Sequence, residues 1–377
     1  MIRYLCLLIL LPATVLAQSA TAPRIEGLLI GALIGDAAGG PDEFQTPERS
    51  GWTAGDGPLT DEGIAALRAR FRLKPYTRRP EPEPYAHWLP DAPPGTVTDD
   101  SRFKILFFRS LAETGRPDRL AFARTLLAWR ADTTGRYGDL PRQWLDEFAY
   151  AARWELGERD PALARPPDRQ WGGIPTMAGQ MPFLPLAAFH PGDPEAAYRA
   201  VWAIDFMDTG YGLDLNAALV AGLAEALAPD ATWASIEAAM RETDPFGYGD
   251  APWVQRRLDR WLDFAHDAVR RADGRPARLF AILDAELQAE QWWEAWVPMT
   301  VVFACAELAR YDALATLQLI MEFGHDTDSY MEVAGALFGA LHGAEVFPEA
   351  IRVTVEARLL ADYGVTVEDW LRRISRQ

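Results

Sequence analysis

Gly324-His325-Asp326-Thr327-Asp328-Ser329 runs straight into Tyr330-Met331-Glu332-Val333-Ala334-Gly335-Ala336-Leu337-Phe338-Gly339-Ala340-Leu341-His342-Gly343. Two carboxylates stand at i and i+2, with hydroxyls at Thr327 and Ser329. The helix behind them has its faces cut down to Gly and Ala, so neighbouring helices can approach it closely. Its first turn gathers free N–H groups and oxygen ligands in one place. Hard cations such as magnesium and manganese prefer all-oxygen sites of this kind. Asp, Ser and Thr are also the ordinary residues of helix caps, so partners elsewhere in the chain must decide between the two readings.

The 377-residue chain is 49% hydrophobic and 24% charged, a globular composition. Its formal net charge of -17 is spread along the chain and disfavours nonspecific binding to nucleic acid or anionic membrane. Residues 1–17 read as a secretory signal: Arg3, a short apolar core, and small residues at Val15 and Ala17 before the cut. The apolar run is too short for a transmembrane helix, and no later stretch supplies a membrane anchor. Removing it leaves Cys305 alone, which excludes an intrachain disulfide. The expectation is a periplasmic or secreted monomer.

Helical periodicity dominates after residue 24 and alternating strand patterns are scarce. Over 24–38, Gly27, Gly31, Gly35 and Gly39 recur every four residues, making a flat face for tight packing, and the run opens into the acidic loop Asp42-Glu43-Phe44. Residues 45–97 are rich in Pro, Gly, Arg and Glu and read as a surface excursion, a candidate lid. Thr98-Asp99-Asp100-Ser101 then starts a second apolar helix, with more acid than a cap needs. Amphipathic helices are expected over 118–130 and 143–156, and 165–189 reads as a Gly/Pro/aromatic loop around Trp171, Gly179 and Gln180. Further helices are expected over 195–207, 214–227, 232–242, 253–271, 276–290, 297–309, 312–323, 348–361 and 366–375. Trp292, Trp293 and Trp296 read as core or interface. No repeat or domain boundary stands out.

Three acid-bearing segments thus stand at loop–helix junctions: Asp36 to Glu43, Thr98 to Ser101, and Asp326 to Ser329. Buried carboxylates in numbers need cations, and no Lys/Arg cluster matches them in sequence. A two-metal oxygen site answers that need. The three pieces together, in this order and separation, resemble the ADP-ribosylglycohydrolase family, which includes the dinitrogenase reductase-activating glycohydrolases. They are Gly31-Ala-Leu-Ile-Gly-Asp36-Ala-Ala-Gly39-x-Pro-x-Glu43-Phe44, Thr98-Asp99-Asp100-Ser101, and Gly324-x-Asp326-Thr-Asp328-Ser329 with its Gly/Ala tail.

The resemblance implies one all-α multi-helix domain over 18–377 with a dinuclear Mg2+ or Mn2+ centre. It implies hydrolysis of the bond at C1″ of ADP-ribose, in an ADP-ribosylated protein or a related small molecule. It assigns Thr98, Asp99, Asp100, Asp326, Asp328, Ser329 and Glu43 to the metals, with Glu43, Asp100 and Asp328 catalytic. It places Trp171, Gly179 and Gln180 against the substrate. The middle segment departs from the family: Gly179-Gln180-Met181-Pro182 replaces Gly-Asn-Gly and Met-Arg, and a family His is missing near Asp208. That departure motivates an alternative, a member that binds ADP-ribose and metal without turnover. His325-Asp326 and His266-Asp267 suggest a third reading, an HD-type phosphohydrolase, but His87 and His190 lie in Pro-rich loops and His325 precedes an acid pair.

The export signal predicts a mature chain beginning near Gln18. Intact-mass analysis of protein from the extracytoplasmic fraction checks it, and a full-length cytoplasmic chain refutes it.

Overall fold

The computed structural model describes residues 13–44, 57–77, 91–131, 142–250, 253, 255–287 and 293–376. The first half of the chain forms α1 (Ala13–Gly39), α2 (Asp61–Arg70), α3 (Asp99–Thr114), α4 (Arg119–Ala131), α5 (Arg142–Glu155), α6 (Gln180–Phe183), α7 (Pro194–Ile204) and α8 (Tyr211–Ala226). The second half forms α9 (Trp233–Glu242), α10 (Arg257–Ala272), α11 (Pro276–Leu287), α12 (Trp296–Leu308), α13 (Ala313–Phe323), α14 (Thr327–His342), α15 (Glu349–Tyr363) and α16 (Val367–Ile374). Among the described residues no strand forms, and the bridges Tyr76–Ala92 and Thr176–Glu294 are isolated. The fold is all-α, as the periodicity requires. Among the described residues no helix is long and apolar enough to cross a membrane.

The centre of the molecule is the pair α1 and α14. α14 is buried from Thr327 to Leu341, and the chain from Gly27 through Pro41 is buried beside it. Their backbones touch without intervening side chains. A Cβ on Gly335 would overlap the carbonyl oxygen of Gly31, and one on Gly31 would overlap that of Gly335. Gly27 meets Gly339 in the same way, Gly35 meets the Met331 carbonyl, and Gly39 meets the Thr327 carbonyl. The four-residue glycine period in α1 is therefore one half of a paired surface. On the remaining faces Leu28, Leu29, Ile30, Leu33 and Ile34 are fully or almost fully buried, each worth about 1.5–3 kcal/mol relative to exposure.

Aromatic contacts join the helices around this pair to one another. Phe108 of α3 stacks on Trp370 of α16 at 4.5 Å and 8°. Trp296 of α12 stacks on Trp261 of α10 at 3.7 Å and 8°. Trp296 is thus core, as expected, whereas Trp293 faces a cavity described below and Trp292 lies outside the described residues.

Three expectations need correction. The chain is already helical from Ala13, the first described residue, well before residue 24. The segment 45–97 contains a helix, α2, whose Thr60 side chain accepts the Gly63 N–H as an N-cap and whose Ile64 and Leu67 are buried. Ten residues with only two core positions carry too little period to show through Pro-rich flanks. Of the stretch 45–97 read as a candidate lid, residues 45–56 and 78–90 lie outside the described residues, as do residues 1–12 of the signal expected over 1–17. Residues 165–189 are not plain loop. A 3-10 turn (Pro167–Gly173), α6, and a second 3-10 turn (Leu184–Phe189) fill them. Pro167 and Pro185 stand at first-turn positions, where a missing N–H is tolerated.

Gly335→Ala should cost about 3 kcal/mol or more, because two facing backbones must separate. Gly57→Ala, where nothing lies within 4 Å of the new Cβ, should change stability by less than about 0.5 kcal/mol. Urea unfolding of both variants measures the contrast, and equal stability would refute the backbone contact.

Candidate metal centre and cavity

The Gly39–Thr327 contact places the end of α1 against the start of α14, and α3 begins beside both. Asp36, on the last turns of α1, is fully buried. Its carboxylate accepts the Thr98 N–H at 3.0 Å, the Thr98 hydroxyl at 2.6 Å and the Ser101 N–H at 3.1 Å. Asp36 thus moors the N-terminus of α3 to α1, which is favourable for an anion at that end of a helix. Thr98 in turn caps α3 by accepting the Asp100 N–H at 3.3 Å. With Thr98 as the cap, Asp99 and Asp100 are surplus to capping. On α14 Asp326 occupies the N-cap position and Asp328 is the acid of the first turn. Thr327 donates its hydroxyl to the Gly39 carbonyl at 2.9 Å, which leaves Asp326 and Asp328 to either side.

These junctions converge. One carboxylate oxygen each from Glu43, Asp326 and Asp328 lies within 4.8 Å of the other two. The same holds for Asp99, Asp100 and Asp328, so Asp328 belongs to both groups. Ser329 donates to Asp100 at 3.2 Å across the helix–helix junction. Glu43, which could have been a solvated loop charge, is 6% exposed. Thr98 stands behind the acids, with its hydroxyl engaged by Asp36 and the Asp100 amide.

Burial dominates the electrostatics. It raises Asp99 to about 7, with Arg102 pulling the other way, and Asp326 to about 6, against hydrogen bonds from Asp328 and Ser329. Asp100 is pushed well up by burial, then by Glu332 and Asp99; Asp328 by burial, then by Glu43 and Asp100. Two buried cations of α3 that the sequence reading passed over lie close by. Lys104 pairs with Glu332 of α14, both 1% exposed, and donates to the Met181 carbonyl at 2.7 Å. Arg102 donates to the Tyr363 hydroxyl at 2.7 Å and the Val97 carbonyl at 3.1 Å. Glu43, Asp99, Asp100, Asp326 and Asp328, backed by Asp36 and Glu332, still outnumber them. Asp214 shows the contrast: Arg256 grips it at 2.5 Å and 2.9 Å.

The residues fit divalent cations. Asp99 Oδ1 and Asp328 Oδ1 are buried with no hydrogen-bond partner, a costly state that coordination would relieve. The donors are all oxygen, as hard cations require.

A small cavity, open on one side, stands over the acids. Glu43, Asp99, Asp100, Asp326 and Ser329 line one side; Phe44, Phe103, Phe148, Trp171, Met177, Met181 and Trp293 line most of the rest. Trp171 meets Phe148 edge to face at 5.8 Å, and Phe148 meets Phe103 at 5.6 Å. The walls join where Thr176 and Glu294 bridge and the Met177 N–H donates to the Trp293 carbonyl at 3.2 Å. Of the three expected substrate contacts, Trp171 lines this cavity. Gly179 and Gln180 do not: the Gly179 N–H donates to Asp208 at 3.0 Å and Gln180 Nε2 to the Ala295 carbonyl at 3.3 Å. Gly179 is wedged against Asp205, Asn216 and Asp208, where a Cβ would not fit. Phe103, one helical turn beyond Asp100, was legible from spacing; Phe148, Met177 and Trp293 carried no local signal.

The HD-type reading fails on geometry. His266 sits between Glu307 at 2.6 Å and Glu237 at 2.9 Å, on α10. His325 turns to Asp284 at 2.8 Å. Neither belongs to a metal-capable group among the described residues.

Compared with protein families, residues 17–376 match the model of ADP-ribosylglycohydrolase. No curated protein matches the chain.

In metal-free protein the raised carboxyls set a pH slope. Their folded pKa values, about 7 for Asp99, about 6 for Asp326 and about 8 for Glu332, exceed the ordinary 3.8–4.5. The folded state therefore binds more protons than the unfolded state. This stabilisation is full below about pH 4 and is lost as pH rises through 6 to 8. Thermal melting in chelator should fall across that window, and saturating Mg2+ or Mn2+ should remove or reverse the fall. Identical pH profiles with and without the cations would refute the site.

Proposed function

Because the chain belongs to the ADP-ribosylglycohydrolase family, which implies glycohydrolase activity on ADP-ribosylated substrates, we propose that it is a two-metal hydrolase cutting at C1″ of ADP-ribose. The acceptor released is a protein side chain or a related small molecule. The observation that carries this reading is the pair of acid groups sharing Asp328 beneath an aromatic cavity. We further propose that residues 1–17 direct export and that 18–377 work as a monomeric domain outside the cytoplasm.

Asp99, Asp100 and Asp328 would hold one cation, and Glu43, Asp326 and Asp328 the other, with Ser329 completing the oxygen donors. Mg2+ or Mn2+ bound there supplies the charge against which the distal ribose hydroxyls and a water are oriented. Glu43, at the cavity edge, would take the proton of the water as its oxygen bonds to C1″ and return it to the acceptor atom as the C1″–acceptor bond breaks. Asp100 and Asp328, as ligands, would fix where the cations stand beneath the sugar while its oxocarbenium-like transition state forms and the acceptor departs. Phe44, Phe103 and Trp171 exclude bulk water, so these charges act in a low dielectric.

The second reading, binding without turnover, is motivated by the middle segment, where Gly179-Gln180-Met181-Pro182 departs from the family pattern. Retained ADP-ribose without product would identify that case.

Release of ADP-ribose from ADP-ribosylated substrates, with added Mg2+ or Mn2+, tests the proposal. Asp326→Asn should reduce it by at least about 100-fold, the upper end of what losing even an outer partner of a metal site costs. Adding Asp100→Asn should cost little more, since the ligands act as a unit. Glu43→Gln should slow release while keeping at least one cation. Two full metal equivalents and near-normal release in Asp326→Asn would refute it.

A further inference from the structure

His325 belongs to none of the acid groups, yet it is held in an unusual state between them. Its φ is 62°, in the left-handed region that a side chain with a Cβ disfavours. Its carbonyl accepts the Phe44 N–H at 2.5 Å, and Phe44 is itself left-handed, at φ 58°. This hydrogen bond joins the loop that carries Glu43 to the loop that carries Asp326. Nothing in the backbone of a glycine at 325 would prevent it, and glycine would adopt the conformation without strain. The imidazole must therefore offset its own cost through its contacts. Nε2 donates to Asp284 of α11 at 2.8 Å, and the ring packs on Phe323 with centroids 5.1 Å apart. The ring is largely covered, at 16% exposed, while Asp284 stands at the surface at 53%.

We infer that His325 is a positioning residue for the metal centre: its imidazole, anchored on Asp284, fixes the peptide that holds the Glu43–Phe44 loop against Asp326. A free glycine there would let the Phe44 N–H and the 325 carbonyl drift apart, and Glu43 would leave the group it forms with Asp326 and Asp328. The acid group with Asp99 and Asp100 has only Asp328 in common with it, and its helix is anchored through Asp36. The anchor thus serves one cation position and spares the other. This inference rests on the two-cation reading above.

Titration of metal-stripped full-length protein with Mn2+, followed by electron paramagnetic resonance of the free ion, separates the two. The parent should bind two equivalents. His325→Gly should melt no lower than the parent, because it relieves a strained φ. Its weaker Mn2+ equivalent should nevertheless lose affinity by about tenfold or more, with the tighter one unchanged. Asp284→Ala, at an exposed position, should shift the same equivalent in the same direction by a smaller factor while leaving the melt intact. It keeps the inference testable if the glycine variant fails to fold. A His325→Gly or Asp284→Ala protein that binds both equivalents as tightly as the parent overturns the positioning role alone. A parent that takes up no Mn2+ overturns the two-cation reading and this inference with it.

Discussion

Backbone-to-backbone contact between α1 and α14 is the constraint on which the rest depends. Helices that meet through ordinary side chains lie 8–10 Å apart. Here the carbonyl of Gly31 occupies the space a Cβ on Gly335 would need, and Gly27 and Gly339 repeat the arrangement one turn away. This closeness carries the end of α1 to the first turn of α14, so that the Thr327 hydroxyl reaches the Gly39 carbonyl. Asp36 then brings α3 to the same place. Three helix ends, with their acids, meet because two helices were stripped to glycine. The glycine spacing and the acid motifs are parts of one device.

The same arrangement explains why the buried acids suit divalent cations. Bringing the N-termini of α3 and α14 together presents two dipole ends that favour anions, but it also buries Asp100 and Asp326 each within reach of Asp328. Elsewhere the molecule neutralises a buried carboxylate directly, as Arg256 does for Asp214. Near the centre its buried cations are turned to other duties: Lys104 couples Glu332 to the Met181 carbonyl, and Arg102 reaches Tyr363. They hold α3, α14 and the cavity wall in register and leave the facing oxygens of Asp99 and Asp328 for something else.

What could be read from the sequence divides along physical lines. The helix class, the glycine face and the acid motifs were legible because each is local: a period, a spacing, a cap with one acid too many. The position of Glu43 was legible only through the family resemblance, since a lone acid in a loop has no local signature. Trp293 was taken for core or interface, and its place on the cavity wall depends on a bridge between residues 176 and 294 that no spacing encodes. Gly179 and Gln180 were assigned to substrate by position in the chain. Their polar groups instead serve Asp208 and Ala295, because Asp205, Asn216 and Asp208 close around that turn. α2 was hidden by its shortness and by the prolines that flank it.

Backbone strain tells which parts of this arrangement are held by side chains rather than by fold alone. Six described residues other than glycine have positive φ. Asp273 sits at a helix C-terminus, where a left-handed residue is routine, and Arg310 and Tyr311 lie in the short turn between α12 and α13. The other three, Phe44, Trp171 and His325, border the acids or the cavity above them. Each costs on the order of 1–3 kcal/mol that glycine would not. Phe44 and Trp171 gain cavity wall in exchange, and His325 gains its contact with Asp284. A fold that needed only to be stable would place glycine at all three. The aromatic and imidazole side chains are kept where they shape the space around the carboxylates, so the strain marks the boundary between the scaffold, built on glycine, and the site, built on the side chains that glycine lacks.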